Sequence, residues 1–300
     1  MCTAIILGSK EDFHAQHMLK ACKRRNVNAF RLDTSDYPSN TTISYFPEQQ
    51  DGTIESEQMS LKFSEIDSVF WSSISPSTSH SSNPLQDQIA TNDSTSMIYT
   101  LMLTSTIKWC NSWHDFHFHK AKPKQLALAA KTGATIPNTY TGNNPIQLAE
   151  FAQSQEKSIY KPVYGGAYCA LVTPQLLDKT HLSSVLKVSP VTIQSFVPGA
   201  NIRTFVINDR TFSGRIDSDS VDFREDEQHI VKRHTLPDEV QSLAIKIRDA
   251  FKMQWTAIDW RLTPDGKYYF LEANPSPMFI HFEQQTGFPI TEELITMLST

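Results

Sequence analysis

Two carboxylates and one amide in a short stretch of this chain have the types and spacing to do chemistry. The segment Tyr268-Tyr269-Phe270-Leu271-Glu272-Ala273-Asn274-Pro275-Ser276-Pro277 follows Ile258-Asp259-Trp260 across Thr263-Pro264-Asp265-Gly266. In that turn Pro presets the first dihedral and Gly accepts a positive one, so the two segments read as a β-hairpin. Side chains alternate along a strand, which puts Glu272 and Asn274 on one face and Leu271 and Ala273 on the other. Pairing around the turn brings Asp259 opposite Phe270 or Leu271. Only the Phe270 register gathers all three polar groups on one side, and that register is expected. Two carboxylates and an amide oxygen, with no basic residue in the motif itself, form a hard-oxygen set suited to Mg²⁺, which keeps waters and phosphates as its other ligands. The competing reading is a solvated hairpin edge, but Tyr-Tyr-Phe-Leu running into the acid favours a buried carboxylate.

Groups suited to anions lie upstream. Ser158-Ile159-Tyr160-Lys161-Pro162-Val163 reads as a strand entering Tyr164-Gly165-Gly166-Ala167. A lysine buried on a strand is costly unless an anion partners it, and a double-Gly turn lets backbone N–H groups approach phosphate. Val191 to Val197 is a further strand, leading into Pro198-Gly199, against which a purine ring could lie. Ile202 to Ile216 alternates as a hairpin turning at Asn208-Asp209. Arg203 shares a face with Phe205 and Ile207, and an inward arginine calls for a phosphate or carboxylate. Arg224 sits beside acids in Ser220-Val221-Asp222-Phe223-Arg224-Glu225, where a surface salt bridge is the competing reading. The run Trp109 to Lys120 holds His114, His117 and His119 at strand-like spacing, with His117 and His119 on one face. No carboxylate or thiol completes a metal set there, so packing and hydrogen bonding are expected of these rings.

These groups need elements to hold them. Thr3 to Leu7, a helical segment marked by Phe13, His17 and Ala21, and Ala29 to Leu32 read as a βαβ unit. Gly8-Ser9-Lys10 lacks the further glycines of a dinucleotide or Walker loop. Residues 39–67 are polar with patches of alternation, and Ser68 to Ser72 is another strand. Asn83-Pro84-Leu85-Gln86 opens a helix whose face is Leu85, Ile89, Tyr99, Leu103 and Thr106, diluted by polar residues at 91–96. Lys122 starts a helix with Leu126, Ala129 and Ala130 inward and Gly133 as its cap. Asn144-Pro145-Ile146-Gln147 repeats the capped start, with Leu148, Phe151 and Ala152 buried. Pro237-Asp238-Glu239 opens the clearest amphipathic helix, carrying Val240, Leu243, Ala244, Ile247, Ala250 and Phe251.

The whole chain, 300 residues with 39% hydrophobic and a net charge of -5, is long enough for one to three domains and carries no basic stripe. That speaks against nucleic acid or an anionic membrane as partner. The start Met-Cys-Thr-Ala-Ile-Ile-Leu-Gly has neither a basic leader nor a long apolar run, so a cytoplasmic protein is expected. Cys2, Cys22, Cys110 and Cys169 are widely separated, which fits reduced thiols.

In their order along the chain, the lysines, the Gly-Gly turn, the inward arginine and the acid hairpin resemble an ATP-grasp ligase. The resemblance implies an α/β fold with α+β domains: a pre-ATP-grasp domain at 1–110, a central subdomain at 111–196 and a C-terminal subdomain carrying the metal at 197–300. It implies that Lys122 and Lys161 bind phosphate, Gly165 and Gly166 form the flexible phosphate loop, and Gln194, Ser195, Phe196 and Val197 are the linker whose backbone reads adenine. Arg203 resembles the transition-state arginine, Lys161 shares that catalytic role, Arg224 contacts nucleotide, and Asp259, Glu272 and Asn274 hold one or two Mg²⁺ ions. Lys122-Pro123-Lys124-Gln125-Leu126, Ser220 to Arg224 and Glu283-Gln284-Gln285-Thr286-Gly287-Phe288-Pro289-Ile290 are most similar to microviridin-type (graspetide) peptide macrocyclases, with ribosomal-protein-glutamate ligases next.

The implied chemistry is phosphorylation of a carboxylate by ATP and attack on the acyl phosphate by an amine or hydroxyl. For a macrocyclase both groups belong to one ribosomally made precursor peptide, the implied partner, and a homodimer is compatible with the resemblance. Two other readings are a ligase adding a free amino acid to a peptide or small acceptor, and a nucleotide-binding protein without turnover.

Overall fold

The computed structural model describes residues 2–75, 83–218, 220, 222–226 and 228–300; Val221, within one of the motifs above, lies outside them. The chain divides into two compact units, one of residues 1–113, 278–283 and 288–300, the other of residues 114–277 and 284–287.

The first unit opens as the βαβ pattern requires. Strand β1 (Thr3–Leu7), helix α1 (Phe13–Arg24) and strand β2 (Asn28–Leu32) come first. After β3 (Thr42–Phe46), β4 (Asp51–Ser56), β5 (Met59–Lys62) and β6 (Ser68–Trp71) come α2 (Pro84–Met102) and β7 (Lys108–Cys110). The main sheet is parallel in the order β2-β1-β6-β7. Residues 39–67, read as polar with patches of alternation, contain the antiparallel sheet β3-β4-β5. Asp12 caps α1 by accepting from the Ala15 N–H, and the helix buries Ala15, Met18, Ala21 and Cys22 while Phe13 stays exposed.

Asn83 caps α2 as expected, through the Leu85 N–H. The helix runs unbroken through its polar middle to Met102, and its inward residues are Ser94, Ile98, Leu101 and Met102. Leu85, Ile89, Tyr99 and Leu103 are exposed, and Thr106 falls past the helix end, so the face read from the sequence is the outer one. A large apolar residue at helical spacing marks a stripe without saying which of two stripes is covered.

The second unit holds α3 (Trp113–Lys120, whose first residue belongs to the first unit), α4 (Lys122–Lys131), β8 (Thr139–Gly142), α5 (Pro145–Gln153), β9 (Ser158–Pro162), β10 (Ala170–Leu171), α6 (Lys179–Val185) and β11 (Val191–Ser195). It continues with β12 (Ala200–Ile207), β13 (Arg210–Asp217), β14 (Ile230–His234), α7 (Asp238–Ala250), β15 (Trp255–Leu262) and β16 (Tyr268–Asn274). Two antiparallel sheets result, β10-β9-β11-β8 and β14-β13-β12-β15-β16. The chain ends in α8 (Ile280–Thr286) and α9 (Ile290–Ser299). No described helix is long and apolar enough to cross a membrane.

The histidine run is helix α3, not a strand, so His117 and His119 lie about 200° apart around it rather than on one face. Helix α4 ends as expected, with Gly133 at φ 108° and the Ala134 N–H returning to the Ala129 carbonyl. Its inward face differs from the expectation at one position: Ala130 is exposed and Gln125 is buried. Helices α4 and α7 cover the larger sheet, and Leu126, Ile247, Phe251, Trp260 and Phe270 share one core. The Phe270 ring meets Phe251 and Trp260 edge-on at 6.0 and 5.8 Å between centroids, a packing aromatic quadrupoles favour.

Candidate active site

The hairpin β15–β16 forms around the expected turn. Gly266 takes φ 85° and its N–H bonds the Thr263 carbonyl at 3.0 Å. Its register is neither of those considered. Trp260 pairs with Phe270, but the ladder shifts by one residue and Asp259 stands opposite Glu272. Leu271 is the extra residue of a β-bulge, where two residues on one strand face one on its partner. Phe270 and Ala273 therefore both enter the core, while Leu271 and Glu272 both line a cavity with Asp259. The carboxylates share a face because of the bulge, and Leu271 joins them instead of pointing away.

Each carboxylate has a cation from elsewhere in the unit. Arg203 is the direct cross-strand neighbour of Asp259 and grips it at two points, Nε to Oδ1 and Nη2 to Oδ2, each 2.7 Å. Of the phosphate and the carboxylate that an inward arginine calls for, the carboxylate is the partner present. Burial works against the guanidinium's charge, and Asp259 outweighs it, so the group stays firmly cationic. Lys122 Nζ donates to Glu272 Oε2. Burial alone would push the Glu272 carboxyl up; the attraction of Lys122 and its hydrogen bond, with Lys161 adding to them, hold it well below the usual carboxylate range.

This pairing gives a pH dependence with a definite sign. A carboxyl lowered in the folded chain from its ordinary 4.5 contributes stability that is full above that value and is lost as pH falls through the lowered one. Urea unfolding between about pH 7 and about pH 3 should show the wild type losing more stability than Glu272→Gln, which takes up no proton there. Equal losses in the two proteins would remove Glu272 from the acid response.

The other candidate residues gather around the same cavity. Lys161 of β9 lines it, its Nζ 3.3 Å from the neutral Gln194 Oε1, and burial pushes its ammonium pKa down. Gln194 is held in turn by donating to Thr139 Oγ1 at 2.9 Å. Gly165 and Gly166 take φ 106° and 92°, values that strain any side chain, and a Cβ on Gly165 would come within 3.5 Å of Lys122 Cε. The loop backbone thus passes directly over that lysine.

Ser195, Phe196 and Val197 follow Gln194 along the wall. The Phe196 ring has Lys157 Nζ 4.5 Å and the Arg261 guanidinium carbon 5.9 Å from its centroid. Arg224 also lines the cavity and is gripped by the buried Asp222, which accepts from its Nε at 2.8 Å and from the Cys169 N–H at 3.1 Å. Its acid neighbour is therefore a positioning contact rather than a surface pair.

Gly166, Arg203 and Asn274 are not among the residues lining the cavity. The Asn274 Oδ1 accepts from the Ser276 N–H at 3.0 Å. His119 Nδ1 lies 3.0 Å from the Ala273 carbonyl, and among the described residues no group of three His, Cys, Asp or Glu is arranged to hold a metal.

Arg261 is absent from the sequence reading. It lines the cavity, donating to the Val197 carbonyl at 3.1 Å and to Asn201 Oδ1 at 2.7 Å. Its position two residues beyond Asp259, on the same strand face, was the available signal. Gln125, one helical turn after Lys122, stands in the sequence only as part of the 122–126 motif, and its burial is not legible there.

The donor set fits a divalent ion and nucleotide phosphates. Two hard-oxygen carboxylates side by side leave coordination positions for water and phosphate, and Lys122, Lys161 and Arg224 around them suit polyanionic oxygens.

The chain matches known families and structures over its length. Residues 119–298 match the RimK-like ATP-grasp domain, and residues 4–118 match the MvdD pre-ATP grasp domain. None of the curated proteins matches. Among solved structures, the ATP-grasp ligase PsnB in complex with a minimal precursor is 24% identical, with a TM-score of 0.87, over 99% of this chain and 98% of that one. The macrocyclase MdnC of Microcystis aeruginosa, bound with precursor peptide MdnA, is 23% identical, with a TM-score of 0.87, over 100% of both chains. A RiPP-associated ATP-grasp ligase of Chryseobacterium gregarium, in complex with ADP and a leader and core peptide, is 18% identical, with a TM-score of 0.88, over 99% and 96%. At these identities the likeness is one of fold, and it agrees with the α/β architecture and N-terminal pre-ATP-grasp domain expected from the sequence. With the first match spanning more than half of its residues, the chain belongs to the RimK-like ATP-grasp domain family.

Proposed function

We propose that this chain is an ATP-dependent, Mg²⁺-requiring ligase that joins a side-chain carboxylate to an amine or alcohol within a ribosomally made precursor peptide. The observation that carries the reading is a single cavity in which Asp259 and Glu272 stand opposite each other with Lys122, Lys161, Arg224 and the 194–197 linker around them. The solved relatives support its cofactors and partner: PsnB with its precursor, Mg and ADP, and MdnC with its precursor peptide.

Bound ATP would supply the phosphoryl group that turns the peptide carboxylate into an acyl phosphate, and Mg²⁺ would supply positive charge to offset the charge that develops on transfer. The chain's own residues do the rest by position and charge. Asp259, Glu272 and Asn274 would hold the metal, and Lys122, Lys161 and the Gly165-Gly166 loop the phosphates. Arg203, fixed by Asp259, and Lys161 would stabilise the charge of the transition state through a preorganised field. Gln194 to Val197 would bind the base, and Arg224, fixed by Asp222, would contact nucleotide. The three-part division at 110 and 196 belongs to the same reading, as do a cytoplasmic location, a possible homodimer and the lack of a nucleic-acid or membrane partner.

Mass spectrometry of a candidate precursor incubated with the chain, ATP and Mg²⁺ tests this. The expected product is lighter by about one water for each bond formed. A residue-sized gain would instead establish addition of a free amino acid, and an unchanged mass without ADP release would leave only nucleotide binding.

A further inference from the structure

Strand β16 is the last strand of its sheet, so one edge of it lacks a neighbouring strand. Unpaired backbone groups at a buried edge are costly and need another partner. At Phe270 the partner is backbone, the N–H reaching the Thr135 carbonyl at 2.8 Å. At Ala273 it is a side chain. Gln125, only 1% exposed, donates from Nε2 to the Ala273 carbonyl at 2.8 Å and accepts from the Ala273 N–H at Oε1, at 2.9 Å. Both ends of its amide are used on one residue, as a paired strand would use its own backbone.

Ala273 lies between Glu272 and Asn274. The residues that reach this point are spaced along α3 and α4: His119 to the Ala273 carbonyl, Lys122 to Glu272, and Gln125 to both backbone groups of Ala273. Lys122 is the one of the three whose bond goes to the carboxylate itself. Any polyanion it turns toward competes with Glu272 for it, whereas the bonds of Gln125 are to backbone and are unaffected by that exchange. We infer that Gln125 is a positioning residue for the metal-facing carboxylate, fixing the Ala273 peptide so that Glu272 keeps its place opposite Asp259. This rests on the metal role given to Glu272 above.

Partners that orient a metal ligand are worth about 10- to 100-fold in metal affinity. Gln125→Met keeps the length of the side chain and removes both hydrogen bonds. In the purified full-length protein, the Mg²⁺ concentration that gives half-maximal ADP binding, followed by calorimetry, should rise about tenfold in this variant. Leu126→Ala, which removes a buried core side chain from the same helix, serves as the comparison: it should lower the melting temperature and leave the Mg²⁺ midpoint in place. If Gln125→Met melts lower with an unmoved midpoint, Gln125 supports the fold alone and the inference is overturned. Should Gln125→Met not fold, Gln125→Glu, which keeps the acceptor and loses the donor, is expected to shift the midpoint in the same direction, and an unmoved midpoint there overturns the inference equally. A wild-type protein whose ADP binding ignores Mg²⁺ would overturn the metal role itself, a different result from a variant that matches a Mg²⁺-dependent wild type.

Discussion

Glu272→Gln is expected to cut ADP release in the presence of substrate by about a thousandfold or more while the variant still binds ATP, a loss of about 4 kcal/mol in barrier lowering. The substitution keeps the shape of the side chain and removes only its charge. Two consequences follow from the contacts of this carboxylate. The cavity loses one of its two opposed carboxylates, leaving a neutral amide oxygen where a divalent ion would meet a negative charge. Lys122 also loses its anionic partner and stands near Lys161, whose charge Glu272 helps to sustain. Nucleotide binding, with several cations still lining the cavity, should survive better than turnover. Calorimetry with ATP and a coupled assay for ADP separate the two quantities, and an undiminished turnover rate in a variant that binds ATP would show that Glu272 does not serve the metal.

Gly199→Ala is expected to destabilise the protein by about 3 kcal/mol or more, lowering the melting temperature by roughly 6–12 °C for a domain of this size. Gly199 takes φ 142°, which disfavours any side chain, and a Cβ there would lie 2.0 Å from the Leu262 carbonyl oxygen and 2.7 Å from its carbon. Both obstacles are backbone of β15, so no side chain can swing aside. The chain between the 194–197 linker and β12 would have to move off the strand that carries Asp259 and Arg261. Scanning calorimetry measures the effect; a loss under about 1 kcal/mol would mean that the start of β12 gives way easily.

What could be read beforehand was local. The Pro264-Gly266 turn, the Asn83 and Asn144 caps and the Gly133 helix end each depend on a few adjacent residues, and each is found. Lys161, Gly165 and Arg224 could be named from type and order, and all three line the cavity. What could not be read depends on partners far along the chain. The strands at 42–62 bury one face weakly and have few large apolar residues to mark it. His117 and His119 alternate in type, and helix α3 overrides the pattern. The outer stripe of α2 is the more apolar to the eye, while smaller or later residues go inward. Gln125 is polar because it completes a strand edge lying 148 residues away in sequence, which no local pattern reports.

The bulge at Leu271 separates the part of β16 whose phase is set by the turn from the part whose phase is set at Glu272. A chain with Phe270 joined directly to Glu272 would present its acid to Asp259 in the same way, through an unbroken ladder. The count of residues between turn and acid is therefore a poor signature of the site, because two spacings lead to one geometry. A motif written with fixed spacing would divide a single kind of active site into two apparent classes, whereas Asp259 facing an acid across the hairpin would unite them.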